Sequence, residues 1–289
     1  MLSGVVVQVV INGILVGGFY ALMGMGLNVI FGVMKIVNFC QGELLMVGMY
    51  LTYLFTSTFG LDPYLSLPLV GIIMMCLGAL IQHGLITPLL GAANDSNLIF
   101  MTVGLMMLMQ NLALVLFKSD YRTVQTGYSL KNIHLLGQVV SLPKLISFGV
   151  LIFVTFMLYA FLMKSETGKQ IRATSQNPIG ARLVGININR MYILSYAIGA
   201  ALAGIAGTLL LPFYYVFPMV GATFTLRAFV VVVLGGLGSI KGAFMGGIVL
   251  GLLETMGAFV VGPQFKDSVV FLTFLAILIL RQHLVSRAR

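Results

Sequence analysis

Residues 164–190 read KSETGKQIRATSQNPIGARLVGININR, the only long polar interruption in the second half of an otherwise apolar chain. The stretch holds five of the sixteen Lys and Arg residues and a single acid, Glu166. Within it, Asn177-Pro178 reads as a helix start, because asparagine offers an N-cap side chain and proline at the first helical position needs no N–H. Gly185 reads as the residue that closes the helix, since glycine accepts the left-handed conformation found at helix ends. The spacing predicts a helix of about two turns over 178–184, capped at both ends. It would present Ile179, Leu183 and Val184 as apolar contacts and Arg182 as a charge. A short capped helix set between two apolar runs makes sense as a handle on which another protein acts.

The runs on either side of this loop decide the class. Hydrophobic residues make up 60% of the chain and charged residues 8%, with a mean hydropathy of +1.08. A soluble domain carries roughly 25% charged residues. Apolar segments of about 20 residues match a hydrocarbon core about 30 Å thick. The pattern predicts spans near 5–33, 40–58, 66–90, 97–117, 144–163, 191–212, 223–239, 243–262 and 267–281. The seventh and ninth are short, so the count is eight or nine. The chain reads as an all-α, polytopic integral membrane protein, with residues 1–289 forming one transmembrane unit and 164–190 its main loop.

The formal charge of +9 does not point to nucleic acid, because basic residues of polytopic proteins collect in cytoplasmic loops. With 164–190 inside, alternation also places Lys35, Lys241, Arg281, Arg287 and Arg289 inside. Lys118, Arg122, Lys131, Lys144 and Lys266 fall outside, a bias of ten to five. That predicts an outer N-terminus and an inner C-terminus. Cys40 and Cys76 lie in separate apolar runs, and His83, His134 and His283 are scattered, so neither a metal site nor a disulfide is expected. No G-x-x-x-x-G-K-[ST] occurs; in Gly235-Gly236-Leu237-Gly238-Ser239-Ile240-Lys241-Gly242 the lysine is followed by glycine, which reads as a tight turn. There is no hydrolase constellation either, so the chain is not expected to be an enzyme or to hold a cofactor of its own.

Polar residues at membrane depth are the functional suspects, because their burial is costly. They are Asn28 in the first span, Asn38, Gln41 and Glu43 at the start of the second, and Gln110-Asn111 midway in the fourth. Arg227 opens the seventh span and Glu254 sits near the middle of the eighth, a pair that also permits a structural ion pair. All eight are candidates for a translocation path. Glycines stud the first, seventh and eighth spans, where small residues let backbones approach. The outer loop 118–144 reads as a hairpin or turn, either a cap over the spans or a dock for a partner.

The segment INGILVGGFYALMGMGLNVIFGVMKIVNFCQGELLMVGMYL at 11–51 resembles the start of LivH-type permeases, the branched-chain amino acid subfamily of ABC importers. The motif stands here as Asn38, Phe39, Gly42 and Glu43. Asn177-Pro178-x-x-Ala181-x-x-x-Gly185-Ile186 is similar to that family's ATPase-contacting loop, and Gly235-Gly236-x-Gly238-Ser239-x-x-Gly242 is a third match. The likeness covers almost the whole chain; it departs at Cys40-Gln41, where such permeases often carry alanine and histidine. It implies a bacterial inner-membrane importer with a second related permease, two cytoplasmic ATPases that bind ATP and Mg, and an external solute-binding protein. The helix would then be a coupling helix, with Asn177, Pro178, Ile179, Ala181, Arg182, Leu183, Val184 and Gly185 as its ATPase contact. Permeases for urea or short amides share much of this pattern, and a stand-alone channel or ion-coupled carrier is the remaining class.

Overall fold

Helix α1 (Leu2–Met34) runs 33 residues without a proline or a charge to interrupt it. At 1.5 Å per residue it is about 50 Å long, more than the bilayer core needs. The computed structural model describes residues 2–90, 96–129, 131–135 and 137–287; Arg289 of the basic tail lies outside them. After α1 come α2 (Gln41–Phe59), α3 (Pro63–Ile81) and α4 (Ser96–Phe117). A small antiparallel hairpin follows, β1 (Asn132–Leu135) with β2 (Gln138–Ser141), in register Asn132↔Ser141. Then come α5 (Leu142–Lys164), α6 (Glu166–Gln176), α7 (Pro178–Leu183) and α8 (Ile188–Leu210). The chain closes with α9 (Val220–Gly235), α10 (Ile240–Val261) and α11 (Lys266–Arg287).

Among the described residues six helical segments are long and apolar enough to cross a membrane, and α9 is a shorter apolar helix. The other two expected spans, 40–58 and 267–281, fall on α2 and α11, whose first turns carry Glu43 and Asp267. Helix α8 is the innermost, 72% buried over its apolar window against 22–44% for the other five. It packs on α1, α2 and α3, while α9 lies between α2 and α10. The glycine seam expected from sequence joins α1 to α10: a Cβ added at Gly17, Gly247 or Gly251 would run into the facing backbone.

Two local readings change. The expected span 223–239 is α9, which starts earlier, at Val220, and ends at Gly235, because Gly236 (φ 90°) and Gly238 (φ 83°) turn the chain; Arg227 is therefore midway along α9 and does not open it. The loop 164–190 contains a helix that the polar reading hid. Ser165 caps α6 by accepting the Gly168 N–H at 2.9 Å, and Gly168, Ile171 and Thr174 form its narrow buried stripe.

The described part of the loop 118–144 is tied to its neighbours. Arg122 and Val216 exchange backbone hydrogen bonds of 2.9 and 2.8 Å. The Tyr128 hydroxyl donates to Asp62, which also caps α3 through the Tyr64 N–H. Burial, reinforced by that bond to the Asp62 carboxylate, holds the Tyr128 phenol above its ordinary range.

Candidate functional site

Between α1 and α2 the helical path breaks inside the protein. Lys35 closes α1 at φ 59°, residues 36–40 run without helix, and α2 starts at Gln41. Gln41 Nε2 donates to the carbonyl of Gly199, midway along the 23-residue α8, at 3.3 Å. The start of α2 therefore lies at membrane depth. Irregular backbone persists there only where the protein satisfies it. Asn38 does so: its Oδ1 accepts the Cys40 N–H at 3.2 Å and the Tyr196 hydroxyl at 3.3 Å, and its Nδ2 donates to Gln41 Oε1 at 3.3 Å.

Glu43, one turn on, is fully buried. Its Oε1 accepts from Gln110 Nε2 of α4 at 2.8 Å, while its Oε2 has no hydrogen-bond partner among the described residues. The carboxylate rests against the first turn of α9, where the helix dipole presents its positive end. Two glycines make that approach possible. A Cβ at Gly221 would strike the Glu43 carboxylate, and one at Gly42 would strike the Gly221 carbonyl. The Gly42 N–H also donates to Thr225 Oγ1 of α9 at 3.0 Å. Two helix starts thus abut around a carboxylate with one open acceptor, able to take a further hydrogen-bond donor.

Arg227 and Glu254 form a separate group. Arg227 Nη2 lies 2.9 Å from Glu254 Oε1 and 2.7 Å from Asp267 Oδ1, and its Nε donates to the Tyr20 hydroxyl at 3.0 Å. Lys266 Nζ is 3.0 Å from Glu254 Oε1. This network ties α1, α9, α10 and the first turn of α11.

Of the eight path candidates, Asn38, Gln41, Glu43 and Gln110 come together, and Arg227 and Glu254 pair. Asn28 instead pins the glycine turn: its Nδ2 donates to the Gly236 and Ser239 carbonyls and its Oδ1 accepts the Gly238 N–H. Asn111 is exposed on the outer face of α4 and bonds back to the Met107 carbonyl, because one residue along a helix turns a side chain by about 100° away from Gln110. Sequence reasoning missed Tyr196 and Thr225 in the first group and Tyr20, Lys266 and Asp267 in the second. Lys266 read as a loop charge, and nothing local signals that Asp267 has a partner forty residues away.

Helix α7 has the caps the sequence predicts. Asn177 Oδ1 accepts the Gly180 N–H at 2.9 Å. Gly185, at φ 85°, donates to Arg182 O while Ile186 donates to Ala181 O, the paired bonds of a Schellman closure. Ile179, Leu183 and Val184 are 76%, 83% and 76% exposed, whereas Ala181 is buried toward the body, away from the free face.

Comparison with known proteins agrees with this architecture. The sequence family described as branched-chain amino acid transport system / permease component matches residues 9–278. The high-affinity branched-chain amino acid transport permease BraD of Pseudomonas aeruginosa is 32% identical over 95% of this chain and 93% of its own length. Its counterpart LivH of Escherichia coli K12 is 30% identical over 94% of this chain and 92% of its own. The ribose import permease RbsC of the same organism is 30% identical over 62% of this chain and 58% of its own. Among solved structures, PsaBC from Streptococcus pneumoniae in complex with Fab has a like fold, with a TM-score of 0.51 at 15% identity over 93% of this chain and 89% of that one. A family match that runs from α1 into α11, with relatives of similar length aligned almost end to end, leaves one assignment: this chain belongs to the permease components of branched-chain amino acid transport systems.

Proposed function

We propose that this chain is the membrane subunit through which an ATP-binding-cassette importer of the bacterial inner membrane passes branched-chain or related hydrophobic amino acids, by alternating access. Its N-terminus lies outside and its C-terminus inside. A second related permease, two cytoplasmic ATPases that bind ATP and Mg, and an external solute-binding protein complete the transporter. The amino-acid permeases match nearly the whole chain and the ribose permease under two thirds of it, which favours amino acids as cargo. Nothing specific favours urea, amides or a stand-alone channel.

The observation that carries this reading is α7. It is capped at both ends, and the apolar side chains of Ile179, Leu183 and the C-cap residue Val184 are exposed, with nothing among the described residues over them. Burying one such side chain in a partner's groove contributes roughly 1.5–3 kcal/mol. Leu183→Glu removes that contribution and adds a desolvation cost, enough to weaken ATPase binding by more than about tenfold. Gly185→Val acts by another route, since a β-branched residue resists the left-handed closure. Both variants should insert and pair with the second permease yet fail to retain the ATPases and to transport. Wild-type ATPase stoichiometry in a pull-down of both would sink the assignment. For orientation, a cysteine at Thr126 should label from outside in intact cells and one at Ser175 only after permeabilisation; the reverse overturns the topology.

A further inference from the structure

At the end of the bundle opposite α7, a cavity of ≈ 200 Å³ lies between α1, α5, α9, the end of α8 and the first residue of α11. Its walls include Lys144, Arg227 and Lys266 together with Tyr20, Phe213 and Tyr214. This is room for a small molecule, well beyond a single water.

The charges around it do not balance. Arg227 and Lys266 share two acids, Glu254 and Asp267, at 2.7–3.0 Å. Lys144 is the third cation, and among the described residues no carboxylate lies within ion-pair distance of it. Its ammonium instead stands 5.8 Å from the centre of the Phe213 ring, half-buried in the first turn of α5. Three positive and two negative groups leave one charge uncompensated beside a partly enclosed space. A cation in a low-dielectric setting gains most from a counter-ion that brings its own hydrogen-bond acceptors. The aromatic side chains in the same walls suit an apolar body.

We infer that this cavity binds a small amphiphilic anion, a carboxylate or phosphate head on an apolar body, with Lys144 as its ion partner. The inference goes beyond the transport reading and does not require it. A free solute carboxylate and an anionic lipid headgroup offer the same chemistry, and the test separates them.

The chain contains no tryptophan, so Phe213→Trp places a single reporter on the cavity wall. The purified full chain in neutral maltoside micelles is titrated with 4-methylpentanoate or with 4-methylpentanamide, which has the same apolar body and no charge. A parallel series adds phosphatidylglycerol or phosphatidylcholine. The emission should change saturably with 4-methylpentanoate or with phosphatidylglycerol, and with neither 4-methylpentanamide nor phosphatidylcholine. A 4-methylpentanoate response assigns a free carboxylate; a phosphatidylglycerol response assigns a lipid headgroup. Lys144→Gln should weaken the response at least about tenfold and Lys144→Arg should preserve it. Calorimetry on the unsubstituted chain with the same probes removes any effect of the tryptophan. Equal responses to charged and neutral probes, no response to either anion, or an unchanged midpoint in Lys144→Gln overturns the inference.

Discussion

Glu43 and Glu254 are both fully buried acids, and the protein surrounds them in opposite ways. Glu254 has Arg227 and Lys266 within 3.0 Å and joins α9, α10 and α11. Glu43 has no cation within ion-pair distance among the described residues; it has one amide, Gln110, at 2.8 Å, the positive end of α9 and a bare oxygen. A buried charge with its partners supplied is a fixed tie between helices, and its removal leaves the partners stranded. A buried acid with an acceptor left open is a poor tie but retains capacity for another donor. From sequence both are acids at membrane depth, and only Glu254 has a cation, Arg227, within reach of the pattern; the structure makes Glu254 a tie between helices and leaves Glu43 with an open acceptor.

The largest effect follows from breaking the tie. Arg227→Met leaves Glu254 with Lys266 alone and deprives Tyr20 and Asp267 of their partner. Removing one member of a buried pair costs about 3–5 kcal/mol. The variant should lose folded protein in detergent, read as a large drop in the temperature at which the purified chain leaves its monodisperse peak. Glu254→Gln should follow the same course, with assembly failing before transport does. A melting temperature equal to wild type in both would erase the contrast with Glu43.

Glu43→Gln sharpens the comparison from the other side. The amide oxygen can still accept from Gln110, and no cation is stranded, so the fold should survive with little loss. Initial uptake by the assembled transporter should fall by about tenfold or more, equivalent to about 1.4 kcal/mol in the transport barrier. Should uptake stay at the wild-type rate, Glu43 is packing, and the open acceptor has no role in transport.

Much of this was legible in the residues. Hydropathy gave the helices because burial in lipid admits little else, and Asn177, Pro178 and Gly185 gave α7 because capping is chemistry local to a few residues. Depth was not legible, and of the partnerships only the Arg227–Glu254 ion pair was. That α2 starts halfway across a span depends on Gln41 meeting Gly199, 158 residues away. That Asn28 serves a turn depends on three backbone groups over 200 residues away. Helix α6 was hidden for a different reason: only Ile171 among its buried residues is a large apolar side chain, so its stripe is too thin for a hydropathy pattern to register.

A third acid calibrates the smallest effect. Asp62 is half-buried beside the loop 118–144, where among the described residues it has no cation and two donors, the Tyr64 N–H at 2.9 Å and the Tyr128 hydroxyl at 2.5 Å. It is a tie of hydrogen bonds alone. Tyr128→Phe removes one of them and should cost about 1 kcal/mol at neutral pH. The pH dependence has a fixed sign. The folded state holds the Tyr128 proton more tightly than the unfolded chain does, because burial and the Asp62 bond both favour the neutral phenol. Its contribution is therefore fully present below the ordinary tyrosine value of about 10 and is lost as pH rises through the higher folded value. The advantage of wild type over Tyr128→Phe should thus be constant from pH 7 to about 9 and shrink above 10, measured as the difference in thermal midpoint between the two proteins. Other buried tyrosines affect both proteins equally and cancel in that difference. Midpoints that stay parallel into strong alkali would mean that the Asp62–Tyr128 bond contributes nothing to holding the loop, leaving the Arg122–Val216 bridge to hold it.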